Sequence, residues 1–347
     1  MNQIRILILD DEETIRQAYI RAMERFNAEK NGTEFIYYEV SNLDEANNTI
    51  KEIRFDAAIV DLTLDKKTKD IEGNIAIKSL IENFRMPIFV VSAYLEGLEE
   101  EYEKNPLITS LKKASMKTED LLLKIIEEIQ SHVIQFYARN GFLEKKINEF
   151  YWNHLSHTFE SWEKVATAIS QEDLDIIISR HTITGINEDL YNISPHYHGA
   201  ETYIIPSIKA VPHTGNIVKK DDALYVILTP ACDIAEQNKL GKLSSYALAK
   251  IESVYNVDTV KSKSTQEKQD LYIRDTLRIN QQDRYHYLPQ FDIINESVID
   301  FQSIINVEKD SIDSFKSQAT ITTPFLKDIQ NRFSTYFSRQ GQPNYKK

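Results

Sequence analysis

Cysteine is almost absent from this sequence, since Cys232 is the one cysteine among 347 residues. A single cysteine cannot form a disulfide within the chain, and such sparing use is typical of cytosolic proteins. Glycine and proline are also scarce, with nine of each, which argues against long disordered tracts. No apolar run approaches the roughly 18 residues that a membrane-spanning helix needs. These absences predict a cytoplasmic globular protein that does not cross a membrane.

Positive charge is scarce in the first part of the chain. Residues 1–130 carry 17 Lys and Arg against 26 Asp and Glu, a net charge of −9, whereas residues 241–347 carry 15 against 13, a net charge of +2. An acidic segment argues against nucleic-acid binding there, and the near-neutral C-terminal part leaves that function open. Acidic residues also interrupt the first apolar stretch at Asp10, so a signal peptide is not expected.

The first 130 residues contain a repeated alternation of short apolar runs and helical patterns. Three runs have the length of buried parallel strands, and two weaker ones accompany them. The intervening stretches carry apolar residues at the spacing of amphipathic helices. Five such repeats predict an α/β fold with a doubly wound, five-stranded parallel sheet. The predicted strands are residues 4–9, 35–40, 57–60, 87–91 and 107–111, and the predicted helices are 13–26, 43–53, 73–84 and 118–133.

The pattern changes twice further along, which predicts three domains at residues 1–130, 131–194 and 195–347. The middle segment is a predicted helical connector, with helices at 142–162 and 173–191. We expect its aromatic side chains to form a core or an interface rather than a surface that stacks on nucleic-acid bases. These side chains are Phe150, Tyr151, Trp152, Phe159 and Trp162.

The last segment is predicted to be an α+β domain with a small, barrel-like β core. Its strands are short and end near prolines, and a closing helix has Pro324 at its start and Gly341 past its end. Residues 260–270 are predicted to form an exposed loop. The predicted strands are residues 201–208, 222–230, 284–289 and 297–307, and the predicted helix is 323–341.

Charged and hydroxyl side chains follow four strands of the predicted parallel sheet. Because the carboxyl ends of parallel strands meet at one edge, we expect these side chains to share one crevice. Three are carboxylates, one is a hydroxyl and one is an ammonium group. They are Asp10 and Asp11 after the first strand, Asp61 after the third, Ser92 at the end of the fourth, and Lys112 or Lys113 after the fifth.

Clustered carboxylates repel one another, and a hard divalent cation relieves that repulsion. Mg²⁺ prefers a few carboxylates together with water and phosphate oxygens. A bound cation and a lysine neutralise the charge on an incoming phosphoryl group from two sides. The cluster therefore has the groups needed to phosphorylate an aspartate, with Asp61 as the predicted nucleophile. The hydroxyl of Ser92 can donate to a phosphoryl oxygen and couple the chemistry to a change of shape.

This ordered set resembles the receiver domain of bacterial two-component response regulators, over residues 1–130. The resemblance implies a flavodoxin-like receiver fold in which Asp10, Asp11 and Asp61 bind Mg²⁺. It also implies that Asp61 accepts a phosphoryl group from a sensor histidine kinase and that Ser92 is the switch hydroxyl. Lys113 lies 21 residues after Ser92, closer than Lys112 to the usual spacing of the family lysine.

The sequence departs from the receiver pattern in three places. Ala114 stands where a proline usually follows the lysine, and Thr109 or Ser110 occupies the region where the family usually has an aromatic residue. The loop after Asp61 is lengthened by the stretch DKKTKD before Gly73. Extra lysines there could alter metal binding or the docking of the kinase.

The C-terminal segment has weaker resemblances. TGNIVKKDDALYVILTPACDIAEQN is similar to part of a class of bacterial response-receiver proteins often considered alongside phage-defence operons, which implies antiviral defence as a setting. The order of strands, then VIDFQSI, then a terminal helix loosely resembles the PemK/MazF-type toxin barrel, an RNA-cutting fold. The arginine–proline pair that opens the central strand of that barrel is absent before LYVILT. No catalytic residue is therefore assigned from it.

Cys232 and the nearby histidines have three possible interpretations. Cys232 beside Asp233 could be a thiol nucleophile with His196, His198 or His213 as its base, or the cysteine and these histidines could bind zinc. We favour the third interpretation, in which Cys232 is a small core residue that follows a buried strand. The histidines lie beside prolines and glycines, which favours loops.

The leading hypothesis is a response regulator in a phosphorelay, whose helical connector relays phosphorylation to a C-terminal domain that binds a downstream protein. The first alternative is a receiver-gated effector enzyme, with a nuclease or another hydrolase in the C-terminal domain. The second is a binding module whose receiver is only a docking surface. A separate catalytic activity and a homodimeric state both stay open.

Overall fold

The computed structural model describes residues 2–29, 32–64, 72–113, 115–208, 212–235 and 243–339. The DKKTKD stretch, Ala114 and Gly341 lie outside these residues. The chain divides into two compact units, Met1–Asn192 and Ile193–Lys347, while the three-domain division stays a prediction. Among the described residues, no helix is both long enough and apolar enough to cross a bilayer.

The first unit contains a five-stranded parallel sheet, as the sequence predicts. The strand order is β2-β1-β3-β4-β5, which is the doubly wound order of flavodoxin-like folds. The strands are β1 Asn2–Leu9, β2 Thr33–Val40, β3 Ala57–Val60, β4 Ile88–Ser92 and β5 Ile108–Lys112. The helices around them are α1 Glu13–Ala28, α2 Leu43–Glu52, α3 Glu72–Asn83, α4 Glu100–Glu103 and α5 Thr118–Ile129.

Both faces of this sheet are buried, which explains the continuous apolar runs in its strands. Because side chains alternate along a strand, Leu7 and Leu9 enter a core that includes Leu80 of α3. Ile6 and Ile8 enter the opposite core, which α1 and α5 cover with a second set of apolar side chains. Because the five strands are parallel, their carboxyl ends lie together at one edge of the sheet.

Four helices follow the sheet: α6 His132–Tyr137, α7 Phe142–Asn153, α8 Phe159–Ala166 and α9 Gln171–Ile193. The predicted helix 118–133 ends early, because Ser131 adopts a non-helical backbone conformation and begins α6. The predicted helix 142–162 is interrupted at His154 for the same reason. Of the five aromatic residues expected in a core or an interface, only Phe150 is buried. A core role is therefore wrong for the exposed Tyr151, Trp152 and Phe159, and an interface role for them stays a prediction.

The second unit contains a seven-stranded antiparallel sheet curled into a half-barrel, with strand order β10-β11-β9-β8-β7-β12-β6. The predicted barrel-like core is therefore confirmed, although residues 260–270 lie largely in helices rather than in a loop. The strands are β6 Tyr203–Ile204, β7 Asn216–Lys220, β8 Ala223–Ile227, β9 Ser245–Ser253, β10 Tyr285–Leu288, β11 Ser297–Glu308 and β12 Lys316–Ile321. The helices are α10 Ala231–Ile234, α11 Asp258–Lys261, α12 Gln266–Tyr272 and α13 Thr323–Ser338.

An ion pair between the buried Asp300 and Arg284, whose side chain is 35% exposed, lies at the irregularity in β11, where the pairing with β9 shifts between Asp300 and Ile304. Asp300 is buried, and its carboxylate accepts hydrogen bonds from Arg284 at 2.8 and 2.7 Å and from the Ser303 hydroxyl at 2.7 Å. Burial alone would raise the pKa of Asp300, but these hydrogen bonds outweigh it and hold the pKa below its usual value.

We expect Asp300→Asn to destabilise this region by about 2 kcal/mol at pH 7, because Arg284 loses its charged partner. Hydrogen exchange in peptides from β10 and β11 should then be roughly 30-fold faster than in the wild type. The pKa of Asp300 is lower in the folded state, so its contribution is present above about pH 4 and is lost as the pH falls further. The exposed Asp313→Asn is the control, and equal exchange in the two variants would contradict the prediction.

Candidate functional site

Four strands of the parallel sheet place the candidate residues at one edge. Asp10 follows β1 and Asp61 follows β3, and these strands are neighbours at the point where the strand order reverses. Ser92 is the last residue of β4, and the backbone amide of Lys113 donates to its carbonyl at 3.0 Å. Ligands of open α/β sheets bind in the crevice at such a reversal.

The carboxylates of this edge meet around the ammonium group of Lys113. Lys113 Nζ lies 2.6 Å from Asp61 Oδ2 and 2.9 Å from Asp10 Oδ2. One carboxylate oxygen from each of Asp10, Asp11 and Asp61 lies within 4.8 Å of the other two. Lys112 is exposed. Of the two lysines that the sequence left open, Lys113 is therefore the one that lies among the carboxylates.

Burial controls the protonation of the cluster. Asp10, Asp61 and Ser92 are 2%, 5% and 1% exposed. Burial raises the pKa of Asp10, although the hydrogen bond from Lys113 partly offsets this effect. Burial also opposes the charged form of Lys113, but its hydrogen bonds to Asp61 and Asp10 outweigh burial and raise the pKa of the lysine. Lys113 therefore stays protonated at neutral pH and partly neutralises the two aspartates.

The cluster suits a divalent cation by charge and by ligand type. By formal charge, three aspartates and one lysine sum to about −2, which one divalent cation would cancel. All three candidate ligands are carboxylates, as Mg²⁺ prefers. Across the described ranges, Asp10, Asp11 and Asp61 are the one group of three His, Cys, Asp or Glu residues that gathers its ligand atoms this closely. The residues present therefore fit the metal that the sequence resemblance implies.

Comparison with solved structures finds receiver domains over the N-terminal part of the chain. The chain is similar to receiver domains of response regulators. A receiver protein from Sinorhizobium medicae WSM419 is 19% identical (TM-score 0.31), with 37% of this chain and 96% of that chain covered. A CheY-like receiver domain protein from Methanospirillum hungatei JF-1 is 24% identical (TM-score 0.29), with 37% of this chain and 94% of that chain covered. The response regulator domain of Thermotoga maritima CheB is 16% identical (TM-score 0.30), with 38% of this chain and 98% of that chain covered. No protein-family model and no curated protein matches the chain.

We call the parallel sheet with α1–α5 the receiver-like part. Arg16 of α1 supports the acidic turn in this part, a role that was not predicted from the sequence. Its Nη1 donates to the backbone carbonyls of Asp10 at 2.8 Å and Asp11 at 3.2 Å, and its Nε pairs with Glu39 at 3.0 Å. The guanidinium therefore fixes the backbone of the acidic turn. The sequence did contain a signal for this role, because Arg16 is a lone arginine one turn into the helix that follows the acidic cluster.

Helix α3 begins directly against the backbone that follows Asp61. Gly73 donates its amide to the Leu62 carbonyl at 3.0 Å, and a Cβ at Gly73 would lie 2.4 Å from Leu62 Cα and 2.6 Å from the Asp61 carbonyl oxygen. Asn74, which is buried, donates to the Gly97 carbonyl at 2.9 Å and so ties α3 to the loop after β4. Neither residue has a role that the sequence alone indicates, because both act through contacts that only the fold creates.

We expect Gly73→Ala to displace the backbone at Asp61, because no side-chain rotation can relieve contacts with main-chain atoms. The change should cost about 2 kcal/mol of stability and lower the affinity of the carboxylate cluster for Mg²⁺ about tenfold. Isothermal titration with Mg²⁺ measures the second effect. Lys78→Ala, at an exposed position of the same helix, is the control. An unchanged Mg²⁺ affinity in Gly73→Ala would show that Gly73 does not shape the cluster.

The structure does not gather Cys232 and the histidines of the second unit into a site. Cys232 is exposed, with its Sγ 3.5 Å from Asp233 Oδ1, so the expectation of a core cysteine is wrong. His196, His198 and His213 lie in loops, as predicted, and His198 Nδ1 accepts the amide of Ala200 at 3.1 Å. Within the described residues, none of them belongs to a three-ligand metal group.

Proposed function

We propose that this protein is a response regulator that accepts a phosphoryl group on Asp61 from a sensor histidine kinase, in a Mg²⁺-dependent reaction. The observation that carries the proposal is the position of Lys113 Nζ, within 2.9 Å of both Asp61 and Asp10, in a crevice where Asp11 brings a third carboxylate. This arrangement pairs a buried nucleophile with a fixed cation and a metal-binding acidic group.

In the proposed reaction, an Oδ of Asp61 attacks phosphorus and the bond from phosphorus to the donor's imidazole nitrogen breaks. The electron pair stays on that nitrogen, which takes up a proton, and an acyl phosphate forms on Asp61. Lys113 pairs with Asp61 before the reaction and then donates from its ammonium group to a phosphoryl oxygen. Ser92 supplies a buried hydroxyl at the neighbouring strand end.

Asp10, Asp11 and Asp61 would hold the Mg²⁺ ion. When bound, the ion supplies positive charge that offsets the approach of an anionic phosphoryl group to three carboxylates. Arg16 keeps Asp10 and Asp11 in place through their backbone carbonyls. The negative charge of the cluster without a bound cation explains why the reaction should depend on Mg²⁺.

The second unit is the proposed output, which binds a downstream protein. Its support is that this unit has its own hydrophobic core, whereas the described residues gather an acidic acceptor cluster only in the first unit.

Acetyl phosphate tests the reaction without the kinase. The full chain, incubated with acetyl phosphate and Mg²⁺, should gain about 80 Da in its intact mass, and the gain should be lost in mild alkali because an acyl phosphate hydrolyses there. Chelation with EDTA should prevent the gain. Borohydride reduction followed by peptide mapping locates the modified residue. A stable adduct, or one outside Asp61, would end the proposal.

A further inference from the structure

Helix α9 has two apolar faces, and one of them is packed within its own unit. On that face Leu174 is buried, and Gly185 lies so close to the ring of Phe150 that a Cβ would be 1.9 Å from Cε2. Asp189, one turn after Gly185, pairs with Lys146 of α7 at 2.9 Å. These contacts show which side of α9 faces α7. The opposite side of α9 therefore does not pack on α7.

The other face carries a line of apolar side chains at seven-residue spacing. Ile176, Ile183 and Leu190 are 42%, 67% and 39% exposed. Seven residues are nearly two helical turns, so the three side chains form a line about 21 Å long, on the side of the helix opposite Leu174 and Gly185. Single exposed isoleucines are ordinary, whereas a heptad line is what a helix presents to a partner helix.

We propose that a second copy of this chain covers this line, with the two α9 helices packed in parallel about a two-fold axis. Parallel packing brings Ile176, Ile183 and Leu190 each against its own counterpart, so every apolar side chain of the line gains an apolar partner at once. A two-fold interface must be complementary to itself, and the line meets this requirement.

Charge complementarity supports the same arrangement. Asp175 and Arg180 flank the line on opposite sides and are five residues apart, the spacing at which side chains pair between parallel helices. Within the part of the chain that the structure describes, Arg180 makes no ion pair. In the proposed dimer, Asp175 of each copy faces Arg180 of the other, and the two-fold axis repeats the pair.

Cysteine cross-linking tests the register. In a Cys232→Ser background the chain has no cysteine, and single substitutions Ile176→Cys, Ile183→Cys or Leu190→Cys should each form a covalent dimer with a short bismaleimide. Glu188→Cys, exposed but off the line, is the control and should stay monomeric. Cross-linking of Ile176→Cys only to Leu190→Cys in a mixture would mean antiparallel packing and overturn the proposal, as would no cross-linking on the line.

Sedimentation equilibrium of the full chain measures the strength of the contact. Ile183→Lys should raise the dissociation constant on the order of 100-fold, because each copy brings a charge into the centre of the contact. Asp175→Arg and Arg180→Asp should each raise it about tenfold, and the double variant should restore it. Ile75→Lys on the exposed face of α3 is the control. A monomeric wild type, or a dimer indifferent to Ile183→Lys, would overturn the proposal.

Discussion

Asp61→Asn should abolish phosphoryl incorporation from acetyl phosphate, to below about 1% of the wild-type level. The neutral carboxamide lacks the charge that makes the Asp61 carboxylate a nucleophile. The neighbouring Asp10 and Asp11 carboxylates are not expected to replace it, because Lys113 holds its shortest contact, 2.6 Å, with Asp61. The readout is the fraction of the chain that is about 80 Da heavier in the intact mass spectrum after incubation with Mg²⁺.

The variant should fold, because asparagine has the shape of aspartate and its carboxamide oxygen can still accept from Lys113. Removing one of three clustered carboxylates also relieves repulsion, so circular dichroism and thermal unfolding should change little. Asp44→Asn, exposed in the first turn of α2, removes the same charge away from the cluster and should incorporate phosphate normally. Equal incorporation in Asp61→Asn and in the wild type would disprove the acceptor assignment.

The parallel sheet could be predicted from the sequence because both of its faces are buried. A strand such as β3, Ala57–Val60, is buried at every position, so its apolar run is unbroken and its bounds matched the prediction. The helices were recognisable for a related reason, since α2 and α5 each bury one face against this sheet. The prediction failed mainly at helix ends, which depend on local backbone conformation.

The antiparallel sheet was harder to predict because its strands are half exposed and pair with distant partners. β12, Lys316–Ile321, contains three polar residues in a row before its buried end, and β9 is rich in the small residue alanine. Neither pattern is distinctive without the neighbouring strands. β7 was missed as well, although its first three residues are buried. Pairing with strands that are distant in the sequence therefore decides which of these segments form strands.

The acidic cluster was predictable because each of its members directly follows a strand. Parallel strands bring such positions together whatever the details of the loops. The choice between Lys112 and Lys113 was different, since it depends on which of two adjacent side chains points into the crevice at the end of β5. Arg16 and Gly73 also required the fold, because one acts on backbone carbonyls and the other through a close approach of two main-chain segments.

Lys113→Met should destabilise the receiver-like part by about 3 kcal/mol at pH 8, because Asp10 and Asp61 lose the cation that pairs them in a buried crevice. Hydrogen exchange in peptides from β1 and β3 should then be on the order of 100-fold faster. The exposed Lys112→Met, one residue away, is the matched control and should change exchange little. Phosphoryl incorporation should also slow strongly, since the ammonium group no longer meets the phosphoryl oxygens.

The pH dependence of this variant follows from the direction of the pKa shifts. In the wild type the pKa of Lys113 is raised by its hydrogen bonds to Asp61 and Asp10, so its contribution is complete below about pH 10 and is lost only as the pH rises further. Without the lysine, the pKa of Asp10, already raised by burial, rises further. The folded variant then takes up a proton as the pH falls, so the deficit should be largest near pH 8 and shrink towards pH 5. Mg²⁺ should protect Lys113→Met more than the wild type, and equal protection would show that the cation and Lys113 do not share these carboxylates.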